Sequence, residues 1–186
     1  MSATYHHGDL RNALLVAATE LLEAHGPAAL SLRDVARSAG VSHNAPYRHF
    51  ANRDALLDAI AADGFRALAD DMRTVKGRQP ADRLAAMGQA YVAAARARPG
   101  RFALMFAPPG APDAFPATAA AAQHTYAVLA AAVREVVGRD DPVAVASAWA
   151  LAHGLADLAR HALIPADVAL VTTATRRFAR SLAASV

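Results

Sequence analysis

None of the 186 positions is a cysteine, lysine occurs once (Lys76), tryptophan once (Trp149), and aromatic residues make up only 6% of the chain. The missing thiols exclude disulfide staples, thiolate metal centres and thiol redox sensing. The scarcity of lysine leaves the basic character to 18 arginines, and the formal net charge of +3 is too small for bulk charge to dictate a partner. No segment alternates apolar with polar residues, so no strand is expected. A basic stretch followed by an apolar run is also missing from the amino-terminal residues, and the expected location is cytoplasmic. The longest uncharged run, Ala114 to Val133, contains Pro116, Gln123 and His124. It reads as a loop followed by a helix, and no membrane partner is expected.

What the chain does have is alanine, 52 residues of it. Alanine combines the best helix propensity with little apolar surface, so the 55% hydrophobic fraction describes closely packed helices. The expected class is all-α with about nine helices. Apolar spacing and terminators place them at 9–25, 31–39, about 42–50, about 52–73, 80–98, 101–106, about 117–138, 142–163 and 166–184. Pro99-Gly100 is expected to end the fifth helix. Residues 107–116 hold four of the ten prolines and read as a loop.

Between the second and third helices stands Ala39-Gly40-Val41-Ser42, the grammar of a helix-turn-helix. Gly40 permits the sharp turn, Val41 fills the gap, and Ser42 is a candidate cap for the second helix. Residues 31–53 carry Arg33, Arg37, Arg48 and Arg53 against Asp34 alone, a local surplus equal to the whole net charge. That is a modest footprint for a polyanion. Pro46 complicates the second helix, because a proline late in its first turn would displace a hydrogen bond. A start at His43 or Asn44 would accommodate Pro46 but would remove Ser42 as the cap.

The stretch from Ala24 to Leu57 resembles the TetR/AcrR family of bacterial transcriptional regulators. The likeness is carried by Gly26, Leu30-Ser31-Leu32-Arg33-Asp34-Val35-Ala36, Ala39-Gly40-Val41-Ser42, Tyr47-Arg48-His49-Phe50 and Asn52-Arg53-Asp54-Ala55-Leu56-Leu57. Further matches are Tyr5-His6-His7-Gly8-Asp9-Leu10-Arg11, Tyr91, Arg98-Pro99-Gly100, Met105-Phe106 and Trp149-Ala150-Leu151-Ala152-His153-Gly154. These look like the subgroup whose C-terminal domain is named for its Trp, His and Gly. Pro46 departs from the family, which usually has leucine there.

The resemblance implies a DNA-reading domain at 1–53 and an effector and dimerisation domain at 54–186. It implies double-stranded operator DNA, a small-molecule effector and a second copy of the chain as partners, with the last two helices forming the homodimer. His43 and Asn44 are the candidates for base edges, Asn being suited to adenine. Tyr47, His49 and Arg53 would meet the DNA backbone, Arg33 either phosphate or guanine, and Ser42 belongs with them to the DNA-binding set. For each there is a plainer alternative: core packing for Tyr47, solvation for Arg33, a backbone cap for Asn44. Tyr91, Phe102, Met105, Phe106, Trp149 and His153 would line an effector pocket, or else serve as ordinary core. The stripe Ala144, Ala148, Ala152, Ala156 and the last helix's Val168, Val171, Thr175, Phe178 and Leu182 would either form the dimer contact or face the chain's own core.

Other chemistry has little behind it. His153, Asp157 and His161 recur every four residues, spacing that could hold a metal or simply place a hydrogen-bonded histidine beside an Asp157–Arg160 pair. No glutamate of Glu20, Glu23 and Glu135 belongs to a Glu-x-x-His motif. G-x-G-x-x-G, P-loop and G-x-S-x-G signatures are also missing, so neither enzyme activity, cofactor nor metal is expected. The function that emerges is a ligand-responsive regulator, a repressor by expectation, binding a near-palindromic operator as a homodimer. The alternative is a helical small-molecule or metal-binding protein with a vestigial helix-turn-helix.

Overall fold

The computed structural model describes residues 7–109, 112–165 and 167–185, and no strand occurs among the described residues. Among the described residues eight α-helices follow in order: α1 (His7–His25), α2 (Leu32–Ser38), α3 (Arg53–Thr74), α4 (Pro80–Ala97), α5 (Pro99–Phe106), α6 (Pro116–Val137), α7 (Pro142–Arg160) and α8 (Val168–Ala183). Short 3-10 turns occupy Pro27–Ala29, Pro46–Arg48 and Pro112–Ala114. The all-α class holds. The ninth expected helix, around 42–50, is the single 3-10 turn Pro46–Arg48. The Tyr5-His6 part of the opening motif lies outside the described residues.

Helix starts follow local chemistry. Proline is the first residue of α4, α5, α6 and α7, where its missing N–H would have had no helical partner. Side chains cap others: Ser31 Oγ accepts from Asp34 N at 3.1 Å, and Asp141 Oδ1 accepts from Ala144 N at 2.9 Å. α4 ends at Ala97, just ahead of Pro99-Gly100 as expected, and Pro99 itself opens α5. The amides of Gly100 and Arg101 there donate to the two carboxylate oxygens of Glu23, each at 2.8 Å. At the other end of α7 the helix stops three residues early, and Ala162 turns into the left-handed region at φ 56°.

The packing divides into two compact units, 1–64 with 100–120 and 65–99 with 121–186. This partition is distinct from the functional division expected at 53/54. In the first unit Leu14, Leu22, Val35, Phe50, Leu57 and Ile60 are buried. The carboxylate of Asp58, itself buried, holds the start of α6, accepting from Thr118 N at 2.8 Å, Thr118 Oγ1 at 2.7 Å and Ala117 N at 3.1 Å.

In the second unit α4 lies along both α7 and α8. Ala144, Ala148, Ala152 and Ala156 are all buried within the chain, so the alanine stripe serves the intrachain core. Small side chains let packed helices approach closely, which is the physical use of the stripe here. Val171 and Thr175 of α8 are buried likewise. By length and composition α7 is apolar enough to cross a membrane, with a mean hydropathy of 1.2 over its most apolar stretch.

Candidate nucleic-acid interface and apolar cavity

The helix-turn-helix lies in the first unit. α2 ends at Ser38, and Gly40 takes φ +66° with open space around it, so its backbone conformation alone calls for glycine. The chain then makes a tight turn in which Ser42 C=O accepts from Ala45 N at 2.9 Å. Pro46 follows as the first residue of the 3-10 turn, buried, and its carbonyl accepts from both His49 N and Phe50 N at 2.9 Å. Among the described residues Ser42 makes no side-chain cap, which corrects its expected capping role. The 3-10 turn starts at Pro46, four residues beyond Ser42, and a proline at that first position needs no N–H.

This geometry leaves one face open. Ser42, His43 and Asn44 are exposed, as are Arg33 and Arg48, and Tyr47 is 49% exposed. Among the described residues Arg33, His43, Asn44 and Arg48 have no side-chain hydrogen bond or ion pair within the chain. Arg37, by contrast, is paired to Asp34 one helical turn back. His49 is half-buried beside the Phe50 ring, whose face also receives the Arg11 guanidinium at 5.5 Å from the centroid.

Arg53 occupies a different setting. Its Nε donates to Leu30 C=O at 3.0 Å and a terminal nitrogen donates to Pro27 C=O at 2.5 Å. The side chain therefore ties the start of α3 to the segment leading into α2. A guanidinium has five N–H donors, so the tie leaves others over. Nothing in the local sequence pattern signals these two carbonyl acceptors.

The expected effector residues fall into two groups. Phe102, Met105 and Phe106 belong to the first unit, where Phe102 and Phe106 stack with centroids 4.9 Å apart. Met105 is seated over Gly64, whose added Cβ would lie 2.6 Å from its sulfur. Tyr91, Trp149 and His153 come together in the second unit. Tyr91 meets Trp149 edge-on at 6.4 Å, and its hydroxyl lies 2.9 Å from His153 Nδ1. Burial raises the Tyr91 phenol well above its ordinary range, against the opposing effect of a hydrogen bond from Trp149. The group is thus protonated at neutral pH and shares a hydrogen bond with Nδ1.

Tyr91 and Trp149 line an apolar cavity of about 30 Å³. His153 is not in its lining, whereas Met72, Met87, Leu129, Phe178, Gly88, Thr125 and Thr175 are, none of them an expected effector residue. A small or hydroxylic residue inside an apolar helix stripe is the signal that could have found the last three.

The potential metal triad is not assembled. His153 faces Tyr91, Asp157 bonds Arg160 at 2.7 Å, and His161 Nδ1 donates to the Asp157 carbonyl at 2.9 Å. The Arg160 bond is the first cause holding the Asp157 carboxyl below its ordinary range. No group of three metal-ligating side chains occurs among the described residues.

Comparison with known proteins gives these features a context. Residues 14–60 match the bacterial regulatory proteins of the tetR family, and residues 84–184 match the tetracyclin repressor-like C-terminal domain. An HTH-type transcriptional repressor of Mycobacterium tuberculosis is 46% identical over 48 residues, 26% of this chain and 26% of that protein. A second HTH-type transcriptional regulator from that organism is 35% identical over 89 residues, 46% of this chain and 38% of its own length. The chain thus matches about a quarter to two fifths of these curated relatives. A solved structure of a protein of unknown function from Rhodococcus sp. RHA1 is 37% identical, with a TM-score of 0.85, covering 98% of this chain and all of that one. With an exposed helix-turn-helix at its head and both halves matched, the chain belongs to the tetR family of bacterial regulatory proteins.

Proposed function

We propose that the protein is a ligand-responsive transcriptional regulator, acting as a repressor, which binds a near-palindromic operator as a homodimer and leaves it when an effector binds. The observation that carries this reading is the exposed turn His43-Asn44, in the same unit as the exposed Arg33, Arg48 and Tyr47, with no intrachain partner for the two arginines among the described residues. In the proposal His43 and Asn44 meet base edges in the major groove. Arg33, Ser42, Tyr47, His49 and the spare donors of Arg53 meet the sugar-phosphate backbone and fix the register. The relative described as a repressor supports the sign of regulation.

Dimerisation through α7 and α8 uses the face of α7 that its own chain leaves open. Val143 is 74% exposed and Leu158 40%, Ala150 is exposed, and Gly154 has nothing within reach of an added Cβ. These four lie on one side of the helix. A two-fold dimer would set its reading heads about 34–36 Å apart along DNA. The effector occupies the second unit's cavity, and α3, with Met72 in the cavity wall and Arg53 at its start, carries the response. A coupling of about 1–3 kcal/mol gives a roughly 5–150-fold change in operator affinity.

The test is a mobility-shift assay on the DNA upstream of the protein's own coding sequence and on a selected-oligonucleotide pool. A sequence-selective shift at moderate salt is expected. Its absence on both would sink the regulator reading.

A further inference from the structure

The walls of the second unit's cavity define the chemistry of what can enter. No aspartate, glutamate, lysine, arginine or histidine is among the lining residues. Its hydroxyls are already committed. Thr125 Oγ1 lies 2.9 Å from Ala121 C=O and 3.0 Å from Phe65 C=O, bonding back to the helices. Thr175 Oγ1 donates to Val171 C=O at 2.9 Å and accepts from Gln89 Nε2 at 3.4 Å. The Tyr91 hydroxyl is hydrogen-bonded to His153 Nδ1 and to Trp149. Among the described residues no buried side-chain nitrogen or oxygen lacks a partner. An arriving ion would find no counter-charge and would lose its hydration without replacement.

Size adds a second constraint. A volume of about 30 Å³ is far below the several hundred Å³ of a ligand pocket. Entry therefore requires the wall to move. Met72 and Met87 have unbranched, adaptable side chains suited to such movement, and Trp149 and Phe178 are only partly buried. The driving force left for this opening is transfer of apolar surface out of water.

We infer that the effector is an uncharged molecule with a hydrocarbon body, and that a head group of either charge is rejected. The inference rests on the regulator reading for its consequence, but its chemistry is readable without DNA. Trp149, the sole tryptophan, lines the cavity and reports occupancy directly.

The experiment compares three probes of one chain length below their micellar concentrations: 1-decanol, decanoate and decyltrimethylammonium. Thermal unfolding of the full chain and release of operator DNA are measured for each, and 10-bromo-1-decanol is used to quench Trp149. Decanol should raise the melting temperature and bind about tenfold or more tighter than either ion. The bromo-alcohol should quench Trp149 and be displaced by decanol. Ala152→Leu, which places a larger side chain in the cavity lining, should remove the decanol effect. Quenching of the wild type reads the same site if that variant does not fold. Binding of decanoate or the ammonium ion as tight as decanol overturns the inference, and so does failure of all three to bind. Decanol binding with no operator release, or with no operator binding at all, supports the ligand class and overturns the regulatory reading instead.

Discussion

Arg53 and Arg33 are both arginines of the first unit, but their surroundings give them different work. Arg53 bonds two backbone carbonyls, whereas Arg33 is exposed on α2. Arg53→Gln should lower the unfolding free energy by about 1–2 kcal/mol, measured by urea denaturation, because hydrogen bonds from a charged donor are lost. Arg33→Gln should leave stability within about 0.5 kcal/mol. Its effect should appear in DNA binding, where the slope of log K against log salt falls by about 0.9 for one lost phosphate contact. Asp58 is the buried counterpart. Asp58→Ala strips the start of α6 of three acceptor contacts and should cost about 2–3 kcal/mol by the same denaturation measurement. Asp58→Asn, which retains an accepting oxygen, should cost less.

Among the elements, the turn between α2 and the 3-10 turn shows how local chemistry and packing share control. Gly40 adopts a left-handed conformation with nothing near its missing side chain, so Gly40→Ala should cost roughly 1–2 kcal/mol from backbone strain alone. Calorimetry on the variant checks this, and no compensating clash needs to be invoked. Pro46 is different, since its ring is buried and its carbonyl closes the following turn. Apolar periodicity suggested a longer helix here. A proline without an N–H, immediately after the tight turn, restricts the element to one turn of 3-10 geometry. The start of α5 shows the opposite lesson. Pro99-Gly100 reads as a terminator in isolation, and it becomes a helix start because Glu23, 77 residues away from Gly100, supplies the acceptors.

For the molecule as a whole, the proposed dimer makes a separate demand on α7. Leu158→Glu places a charge on the open side of the helix, away from the buried alanine stripe. It should yield monomers in sedimentation analysis with an unchanged far-ultraviolet dichroism spectrum. Operator affinity should fall by about 10²-fold or more as bivalent engagement is lost. Persistence of a dimer would move the interface elsewhere on the chain.

Helix content, the positions of most helix ends and the reading motif were all legible in the linear chain. They depend on interactions within a few residues: alanine propensity, proline and aspartate at helix starts, and Gly40 in a tight turn. Tyr91, Trp149 and His153 could be named as a set, yet their meeting depends on α4 packing along α7. What only the tertiary structure decided was the direction of each face. It turned the alanine stripe inward, separated Phe102, Met105 and Phe106 from the cavity lining, and spent part of Arg53 on carbonyls. Periodicity identifies which residues share a side of a helix, but burial is the outcome of competition among all the apolar sides of the chain. Long-range acceptors such as Glu23 and Asp58 enter that competition only once the helices are packed.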